Sequence, residues 1–176
     1  MEIRILEKGQ QQSIYDQAYQ LLAAADEEFV PPLSSRSSST QQDFSATIQN
    51  SEGIRQYFAQ LKMQRFAAVF EEDALIAFVS YKENYTCAEI SSEELPNIYI
   101  STLVVSPKAR GKGVTKALYS RLFSEYEHVN IFTRTWSTNI AHIKILEAYG
   151  FEVIKVLKND RGNGIDTIYF KKPAKR

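Results

Sequence analysis

The sequence contains few residues of the kinds that bind metals or cross-link a fold. Of its 176 residues, one is a cysteine, Cys87, and two are histidines, His128 and His142. A single cysteine excludes an internal disulfide framework and a metal site built from several cysteines. With so few histidines we expect no zinc cluster and no metal cofactor. The composition is typical of a protein that resides in a reducing compartment.

The sequence also lacks an excess charge of either sign and any long apolar run. Its 21 basic residues balance its 21 acidic ones, so net charge would draw it neither to nucleic acid nor to an anionic membrane. The opening residues MEIRILEKGQQQ lack the apolar core of a signal peptide. No window approaches the ~20 apolar residues of a membrane span. We expect a soluble cytoplasmic protein, folded as one domain over residues 1–176, with no nucleic-acid or membrane partner.

The first half of the chain predicts a strand, two helices and a hairpin. Residues 2–6 alternate in polarity, and residues 11–29 place apolar side chains at helical spacing until two prolines end the pattern. Residues 31–44 then form a polar connection that is too irregular for a core element. A second helix is predicted over 51–63, and an antiparallel hairpin over 65–84.

In the second half of the chain, strands alternate with helices. A strand over 94–107 has the apolar density of a strand buried on both faces, and helical spacing resumes from Val114 onwards. A strand over 128–136, a helix over 139–150 and a terminal hairpin over 151–172 follow. Alternation here, with hairpins in the middle and at the end, predicts an α/β (α+β) protein with a mixed sheet.

The stretch TLVVSPKARGKGVTKALYSRLF, residues 102–123, joins a strand to a helix through a basic turn that contains two glycines. The first amides of a helix lack partners and carry partial positive charge, so a helix start can bind an anion. Gly111 and Gly113 remove side chains that would keep a phosphate from these amides, and Arg110 and Lys112 add charge. The spacing matches neither G-x-x-x-x-G-K-[ST] nor G-x-G-x-x-G. By itself the turn fits a phosphate cradle or an ordinary basic turn.

The same turn resembles the acetyl-coenzyme A signature of the GNAT N-acetyltransferase superfamily. That signature reads Gln or Arg, two residues, Gly, one residue, then Gly or Ala. Here it is matched from Arg110 onwards, except that Thr115 replaces the small final residue. The β-branched side chain of Thr115 leaves the backbone amide free to donate a hydrogen bond.

Two further motifs carry the same resemblance. The pattern apolar-x-Val-x-Pro, found in this superfamily on the strand before the signature, is matched by Leu103, Val105 and Pro107. A later Asn, a helix and a Gly-Phe pair are matched by Asn139 and residues 150–151. The order of the predicted elements along the chain is also similar to that of the superfamily.

The resemblance implies a fold and a co-substrate. The expected fold is a GNAT-like mixed, mostly antiparallel sheet, flanked by helices, in which two central parallel strands splay apart and acetyl-coenzyme A lies between them. It further implies that the open edge of the strand at Leu103, Val104 and Val105 hydrogen-bonds the pantetheine arm. The other cofactor-binding residues that it implies are Arg110, Gly111, Lys112, Gly113, Val114, Thr115 and Asn139.

The resemblance also implies an activity, the direct transfer of an acetyl group from acetyl-coenzyme A to an amine of a small molecule or an exposed protein amine. Many relatives place a tyrosine that serves the leaving thiolate at the position of Leu146. Tyr149, about one helical turn further on, is the candidate to replace it as the catalytic acid. The alternative is that Tyr149 only packs before the helix end, and His142 is likewise either a donor or an exposed surface residue.

The general base is not evident, because residues 98–105 contain no carboxylate where the superfamily often has a glutamate. Asp160, Asp166 or a water held by Ser101 could take this role, although Asp160 also suits a turn. Two arginines in the predicted loops beside the acceptor side of this fold, Arg36 and Arg161, either recognise a charged acceptor or keep the loops soluble. Trp136 either walls the cleft or packs, and Cys87 is a loop residue rather than a nucleophile.

Three functional classes therefore stay open. The first is an acetyl-coenzyme A-dependent N-acetyltransferase, and the second is a non-catalytic acyl-coenzyme A-binding or sensor module of the same fold. The third is a phosphate-binding fold unrelated to coenzyme A. The identity of the acceptor amine depends on loop shapes that the sequence does not specify. A balanced surface leaves open whether the protein is a monomer or a homodimer.

Overall fold

A computed structural model describes residues 1–44 and 52–176 of the chain. In this part of the chain, strands form a single sheet and helices cover it. The strands are β1 (Glu2–Leu6), β2 (Arg65–Glu71), β3 (Ala74–Glu83), β4 (Asn97–Val105), β5 (Asn130–Trp136), β6 (Glu152–Gly162) and β7 (Ile165–Lys172). The α-helices are α1 (Lys8–Gln11), α2 (Tyr15–Ala24), α3 (Gly53–Leu61), α4 (Val114–Glu125) and α5 (Ile140–Ala148).

The sheet has seven strands in the order β1-β2-β3-β4-β5-β7-β6. Every neighbouring pair is antiparallel except β4 and β5, which are parallel and occupy the centre. The helical connection between β4 and β5 permits this parallel pairing, because parallel neighbours need a crossover. The predicted mixed, mostly antiparallel sheet with a central parallel pair and flanking helices is confirmed.

The central strands diverge halfway along their length. β4 and β5 pair only from Asn97 with Asn130 to Ile100 with Thr133. Beyond that point β4 continues beside β3 and β5 continues beside β7. The register of β3 against β4 shifts at the same level, where Ser101 is an extra residue between two paired positions. Such a bulge bends a strand, and the predicted splay is present.

The two faces of the sheet carry separate apolar cores. On one face, α4 and α5 pack through side chains such as Leu118, Leu122 and Leu146 against the inner strands. On the other face, α2 and α3 pack against β2, β3 and Val104 of β4. Burial of one stripe from each helix is the main source of stability in such a layered domain.

Two predictions about the N-terminal region need correction. The single helix predicted over 11–29 is divided into α1, a 3₁₀ turn, α2 and a second 3₁₀ turn (Asp26–Glu28). The polar connection at 31–44 is irregular as predicted, yet it is not a solvated loop. It buries Leu33, Arg36, Ser39, Gln41 and Phe44. Its polar side chains can be buried because hydrogen bonds satisfy them. The helix predicted over 51–63 is present as α3, which begins at Gly53 and ends at Leu61, two residues before the predicted end. Position 51 lies outside the described residues.

Candidate active site

A cavity of about 700 Å³ opens where β4 and β5 diverge. Its walls come from both diverging strands, from the starts of α4 and α5, and from the segment that follows α2. Pairing between β4 and β5 ends at Ile100 and Thr133, and both residues line the cavity. The splay of the central strands therefore creates the cavity.

The start of α4 presents unpaired amides to this cavity. Gly113 is the N-cap with φ of +75°, Gly111 has φ of +73°, and no side chain caps the helix. A Cβ built on either glycine meets nothing within 4 Å, so both glycines border open space. Within residues 1–44 and 52–176, the amides of Gly111 to Lys116 donate to no protein acceptor, and Ala117 is the first to bond back, to Gly113, at 3.0 Å. This arrangement suits an anion such as a diphosphate.

Arg110 does not face the glycine turn as an unpaired charge. Its two terminal nitrogens donate to the carboxylate of Glu28 at 2.7 Å each, and its Nε and Nη2 donate to the Val105 carbonyl at 3.2 Å. Glu28 and Arg110 both line the cavity, whereas Lys112 is not among its lining residues. The positive charge predicted for the phosphates is thus balanced by Glu28.

The edge of β4 beyond the splay point faces the gap. The amide of Ser106 donates to the carbonyl of Ile76 in β3, at 2.8 Å. Because backbone groups of successive strand residues point to opposite sides, those of Leu103 and Val105 point away from β3, toward the gap. Val104 directs its backbone to β3 and its side chain into the core with α2 and α3. The strand edge is therefore open at Leu103, where a pantetheine arm was predicted to bind, whereas the Val105 carbonyl already accepts from Arg110.

Asn139 is the N-cap of α5 and lines the cavity. Its Nδ2 donates to Thr135 Oγ1 at 3.0 Å, which ties the start of α5 to the diverging end of β5. Val114 and Thr115 of α4 line the same cavity. The predicted cofactor-binding residues, except Lys112, thus lie around one space, and their binding role stays a prediction.

A tyrosine that the sequence analysis did not single out also borders the cavity. Tyr119 of α4 is fully buried, and its hydroxyl lies 2.8 Å from Nε2 of His142 in α5. Burial raises the pKa of Tyr119 and lowers the pKa of His142 to about 4, so both are neutral at pH 7. The helical spacing from Val114 onwards does not single out Tyr119, and only its position beside the cavity distinguishes it.

Tyr149, the predicted acid, lies elsewhere. Its hydroxyl donates to the Lys116 carbonyl at 2.7 Å and lies 2.7 Å from Ser120 Oγ, and Tyr149 is not among the lining residues. Leu146 is fully buried in the core beneath α5 and does not line the cavity either. The catalytic role of Tyr149 stays a prediction that this geometry does not support.

Of the three candidates for the general base, Ser101 lines the cavity and the two aspartates do not. Asp160 accepts from the Thr167 hydroxyl, and Asp166 accepts from Lys158 and the amide of Asn159. Neither aspartate lines the cavity, and among the lining residues of the described chain Glu28 is the only acid. Ser101 does line it, where its hydroxyl bonds with Ser80 and with Gln64.

Three arginines and two aromatic side chains line the end of the cavity beside β5. Arg36, Arg134 and Arg161 are all buried. Trp136 lines the cavity and also packs against Phe29, with ring centres 5.7 Å apart, so it has both of the roles considered for it. Arg134 was missed, although a charged residue in the middle of the strand NIFTRTW was a signal.

A sheet whose central parallel strands splay around a cavity, with an uncapped helix start at its edge, defines the acetyltransferase class of α/β folds. A model of the Acetyltransferase (GNAT) family matches residues 19–151, well over half of the chain. The chain therefore belongs to the GNAT family and is an acyltransferase of that family. No curated protein matches the sequence.

Solved structures support the same fold. The ribosomal-protein-S18-alanine N-acetyltransferase from Escherichia coli is 17% identical with a TM-score of 0.67, and the match covers 99% of this chain and 94% of that one. The protein yncA from Salmonella typhimurium, solved with its cofactor acetyl-CoA, gives the same four values. An aminoglycoside 6′-N-acetyltransferase complexed with coenzyme A is 14% identical with a TM-score of 0.66, covering 98% and 97%. At these identities the likeness establishes the fold alone.

Two kinds of feature are absent from the part of the chain that the structure describes. No helix there has the length and apolar character needed to cross a bilayer. Residues 1–44 and 52–176 also contain no group of three or more His, Cys, Asp or Glu side chains placed to hold a metal ion.

Proposed function

We propose that this protein transfers the acetyl group of acetyl-coenzyme A directly to an amine. The observation that carries the proposal is the row of unpaired amides at the start of α4, at the edge of the gap between β4 and β5. Coenzyme A or acetyl-CoA is present in two of the similar structures, yncA and the aminoglycoside acetyltransferase. The thioester supplies the activated acetyl group, and the residues around the cavity supply binding and orientation.

Two groups of residues around the cavity suit two parts of coenzyme A, the diphosphate and the pantetheine arm. A diphosphate suits the amides of Gly111 to Lys116, because no side chain at Gly111 or Gly113 separates it from the backbone. The outward backbone groups of Leu103 and the amide of Val105 suit the amide groups of pantetheine. Positioning of this kind holds the thioester carbonyl against the acceptor, and much of the rate enhancement comes from such positioning.

The acceptor amine must be neutral before it attacks. Alkyl amines have pKa values near ~10.4, so most of the acceptor is protonated at neutral pH. Ser101 is the predicted base site that lines the cavity, where it can hold a water that accepts the proton. The three guanidinium groups beside β5 disfavour an ammonium ion nearby and lower its pKa. No carboxylate base is then required.

The leaving thiolate needs a proton or a hydrogen-bond donor, and Tyr119 is the better-placed candidate. In the tautomer in which His142 Nε2 carries the proton, His142 donates to the Tyr119 oxygen. The Tyr119 hydroxyl proton can then point into the cavity. Burial keeps this hydroxyl protonated at neutral pH.

The activity is tested by measuring thiol release from acetyl-coenzyme A across a panel of amines. Release above the amine-free background supports an acetyltransferase. If coenzyme A raises Tm but no amine class is acetylated, the non-catalytic sensor of the same fold replaces it. If ADP stabilises the protein as strongly as coenzyme A does, the site does not select the pantetheine arm.

The finer predictions about this protein stay predictions. We propose that residues 1–176 act as one domain in the cytoplasm, with acetyl-coenzyme A as co-substrate and without a metal. Cell fractionation would test the location, and activity that persists in EDTA would support metal independence. Analytical ultracentrifugation would decide whether the protein is a homodimer.

A further inference from the structure

Three buried guanidinium groups surround one aromatic ring at the edge of the cavity. The guanidinium carbons of Arg36, Arg134 and Arg161 lie 5.3, 4.9 and 4.6 Å from the centre of the Phe44 ring. The three residues expose only 6%, 9% and 7% of their surface. All three line the cavity between β4 and β5. Three positive charges therefore converge on one end of the same space.

The ion pairs of the described residues do not include this cluster. None of the ion pairs there includes any of the three arginines. Asp160 acts on Arg161 through its charge and through the Thr167 hydroxyl, which accepts from Arg161 at 2.9 Å and donates to Asp160. The charge of Asp26 acts on Arg36 at a distance. The Asp26 carboxylate accepts its hydrogen bonds from the amide and the hydroxyl of Ser34.

Among the described residues, the hydrogen bonds that the three arginines donate go to neutral groups. Arg36 donates twice to the Pro31 carbonyl, and Arg161 donates to the Val30 carbonyl as well as to Thr167. Arg134 donates to the Tyr169 hydroxyl and to the Gln41 carbonyl. These bonds hold each group in place and use only part of the five N–H donors of a guanidinium.

Burial disfavours the charge of two of the three guanidinium groups, Arg36 and Arg161. Burial lowers the pKa of Arg36 to about 10, and burial together with the charges of Arg36 and Arg134 lowers the pKa of Arg161 to about 9. Both groups still carry their charge at neutral pH. Buried charges are normally paired, and guanidinium groups match carboxylate and phosphate oxygens in a bidentate manner. An oxyanion in the cavity would compensate the cluster.

The cluster is separated from the start of α4 by the sheet. Side chains alternate between the two faces of the sheet along β5. Ile131 lies in the core beneath α4, and Phe132 packs with Tyr169 on the other face. Arg134 shares the face of Phe132 and donates to Tyr169. The arginines therefore lie on the face opposite α4, across the gap between β4 and β5. A cofactor diphosphate bound at the start of α4 is therefore not the anion that the three arginines bind.

We propose that the acceptor is an amine that also carries a carboxylate or phosphate group, and that Arg36, Arg134 and Arg161 bind this group. The inference rests on the proposed acetyl transfer and names the class of its acceptor. With the anionic group at the arginines, the amine points into the gap between β4 and β5. The same three charges disfavour its protonated form.

Matched pairs of amines test the proposal. The carboxylate arm compares phenylalanine with phenethylamine and glutamate with 4-aminobutyrate, and the phosphate arm compares O-phosphoethanolamine with ethanolamine. We expect kcat/KM at least about 30-fold higher for the anionic member of at least one of the phenylalanine and phosphoethanolamine pairs, the scale of a buried charge pair. Both members of the glutamate pair carry a carboxylate, so this pair measures whether a second carboxylate raises kcat/KM further. Equal kcat/KM within both of those pairs, or a preference for the neutral partners, overturns the proposal.

Variants assign the effect to the arginines. Arg134→Gln and Arg161→Gln should lower kcat/KM for the anionic member far more than for its neutral partner, and so abolish most of the preference. Arg161→Lys should keep part of it, because the charge stays but the bidentate geometry is lost. The matched control is Arg121→Gln on the exposed side of α4, where Arg121 pairs with Glu125. A preference that survives both glutamine variants contradicts the assignment.

A binding measurement separates this inference from the proposed reaction. With coenzyme A present at saturation, glutarate or phosphate should raise Tm of the wild-type protein and not of Arg134→Gln. Circular dichroism and the coenzyme A affinity show whether a variant is folded. If no amine is acetylated but the anion still stabilises the protein, the anion site stands and the catalytic function fails. If neutral amines alone are acetylated and no anion binds, the reaction stands and the anion site fails.

Discussion

At the scale of single residues, the candidate cofactor site depends on Gly113, whose φ of +75° starts α4 beside open space. Gly113→Val would place a branched side chain where the diphosphate is proposed to lie. We expect coenzyme A affinity to fall by at least about tenfold, since a helix-start anion site needs close backbone approach. Isothermal titration calorimetry with coenzyme A measures the change.

The substitution also strains the backbone, so it needs a control with the same strain. Gly164 has the same φ of +75° and open space, in the turn between β6 and β7. Gly164→Val should lower Tm by a similar amount while leaving coenzyme A affinity unchanged. Equal affinity in Gly113→Val and the wild-type protein would contradict the placement of the diphosphate.

Different effects on kcat are expected when Tyr119 and Tyr149 are each replaced by phenylalanine. Tyr119→Phe removes the hydroxyl that borders the cavity, and we expect kcat to fall by roughly 10²-fold, a typical contribution of general acid catalysis. Tyr149→Phe removes a hydroxyl bonded to Lys116 and Ser120 outside the cavity, and kcat should stay within about threefold. Steady-state kinetics measures both. The reverse order would restore Tyr149, the residue predicted from the sequence, as the acid.

At the scale of elements, an ion pair joins the turn before α4 to the 3₁₀ turn that follows α2. Glu28 holds Arg110 there and places a negative charge at the cavity. Glu28→Gln should tighten coenzyme A binding by on the order of threefold, because Arg110 becomes available to the phosphates and a repulsive charge is removed. The pair is half exposed, so the effect should shrink at high salt.

The neighbouring acid provides the control for that variant. Glu27→Gln changes an exposed carboxylate in the same turn that does not line the cavity. Its coenzyme A affinity should equal that of the wild-type protein at every salt concentration. Weaker binding in Glu28→Gln would show instead that the ion pair positions Arg110 or the turn for the cofactor.

The position of Leu146 in α5 tests whether the missing tyrosine can be restored. Leu146 is fully buried against α4 and the sheet. Leu146→Tyr should lower the free energy of unfolding by about 1–3 kcal/mol, because it overpacks the core and buries a hydroxyl. Leu146→Met keeps the volume and should cost under about 1.5 kcal/mol. Urea unfolding measures both, and a stable tyrosine variant with faster turnover would mean that the side chain reaches the cavity.

At the scale of the whole molecule, His142 should make global stability depend on pH. Its pKa falls from 6.5 to about 4 on folding through burial, so the unfolded chain binds the proton more readily. Stability is therefore fully retained above pH 6.5 and declines as the pH falls to about 4. The loss from this residue is roughly 2–3 kcal/mol.

Urea unfolding at pH 7 and pH 4.5 measures this loss. Carboxylates also titrate in this range, so the comparison is with His142→Gln, which should lose less stability between the two pH values. His128→Gln, which removes a histidine that is 83% exposed, should follow the wild-type protein. Identical losses in all three proteins would mean that His142 is not neutralised by burial.

Much of the fold could be predicted because local patterns and tertiary contacts agree. The strand over 94–107, the helix from Val114 and the terminal hairpin over 151–172 lie within a few residues of β4, α4 and the β6–β7 pair. Strong periodicity, proline breaks and glycine turns specify such elements locally. The prediction of one helix over 11–29 was wrong, because 3₁₀ turns interrupt a stretch whose apolar spacing is that of a continuous helix.

The partners of charged and polar side chains could not be predicted from sequence. The sequence predicts that Arg110 adds positive charge for a phosphate. In the structure Arg110 pairs with Glu28, which is 82 residues away in the chain. Arg36 and Arg161 were considered together, yet their convergence with Arg134 depends on contacts between three distant segments. Periodicity has no information on such pairs, since it reports only the face on which a residue lies.

By itself the sequence determined the elements, the glycine turn before α4 and the family, because these follow from local spacing and backbone conformation. Only the tertiary structure decided which tyrosine borders the cavity, that Glu28 balances Arg110 and that three arginines share one space. Those features arise where the splay of β4 and β5 brings distant segments together. Distances across that gap are set by packing of the whole sheet and not by any short stretch of the chain.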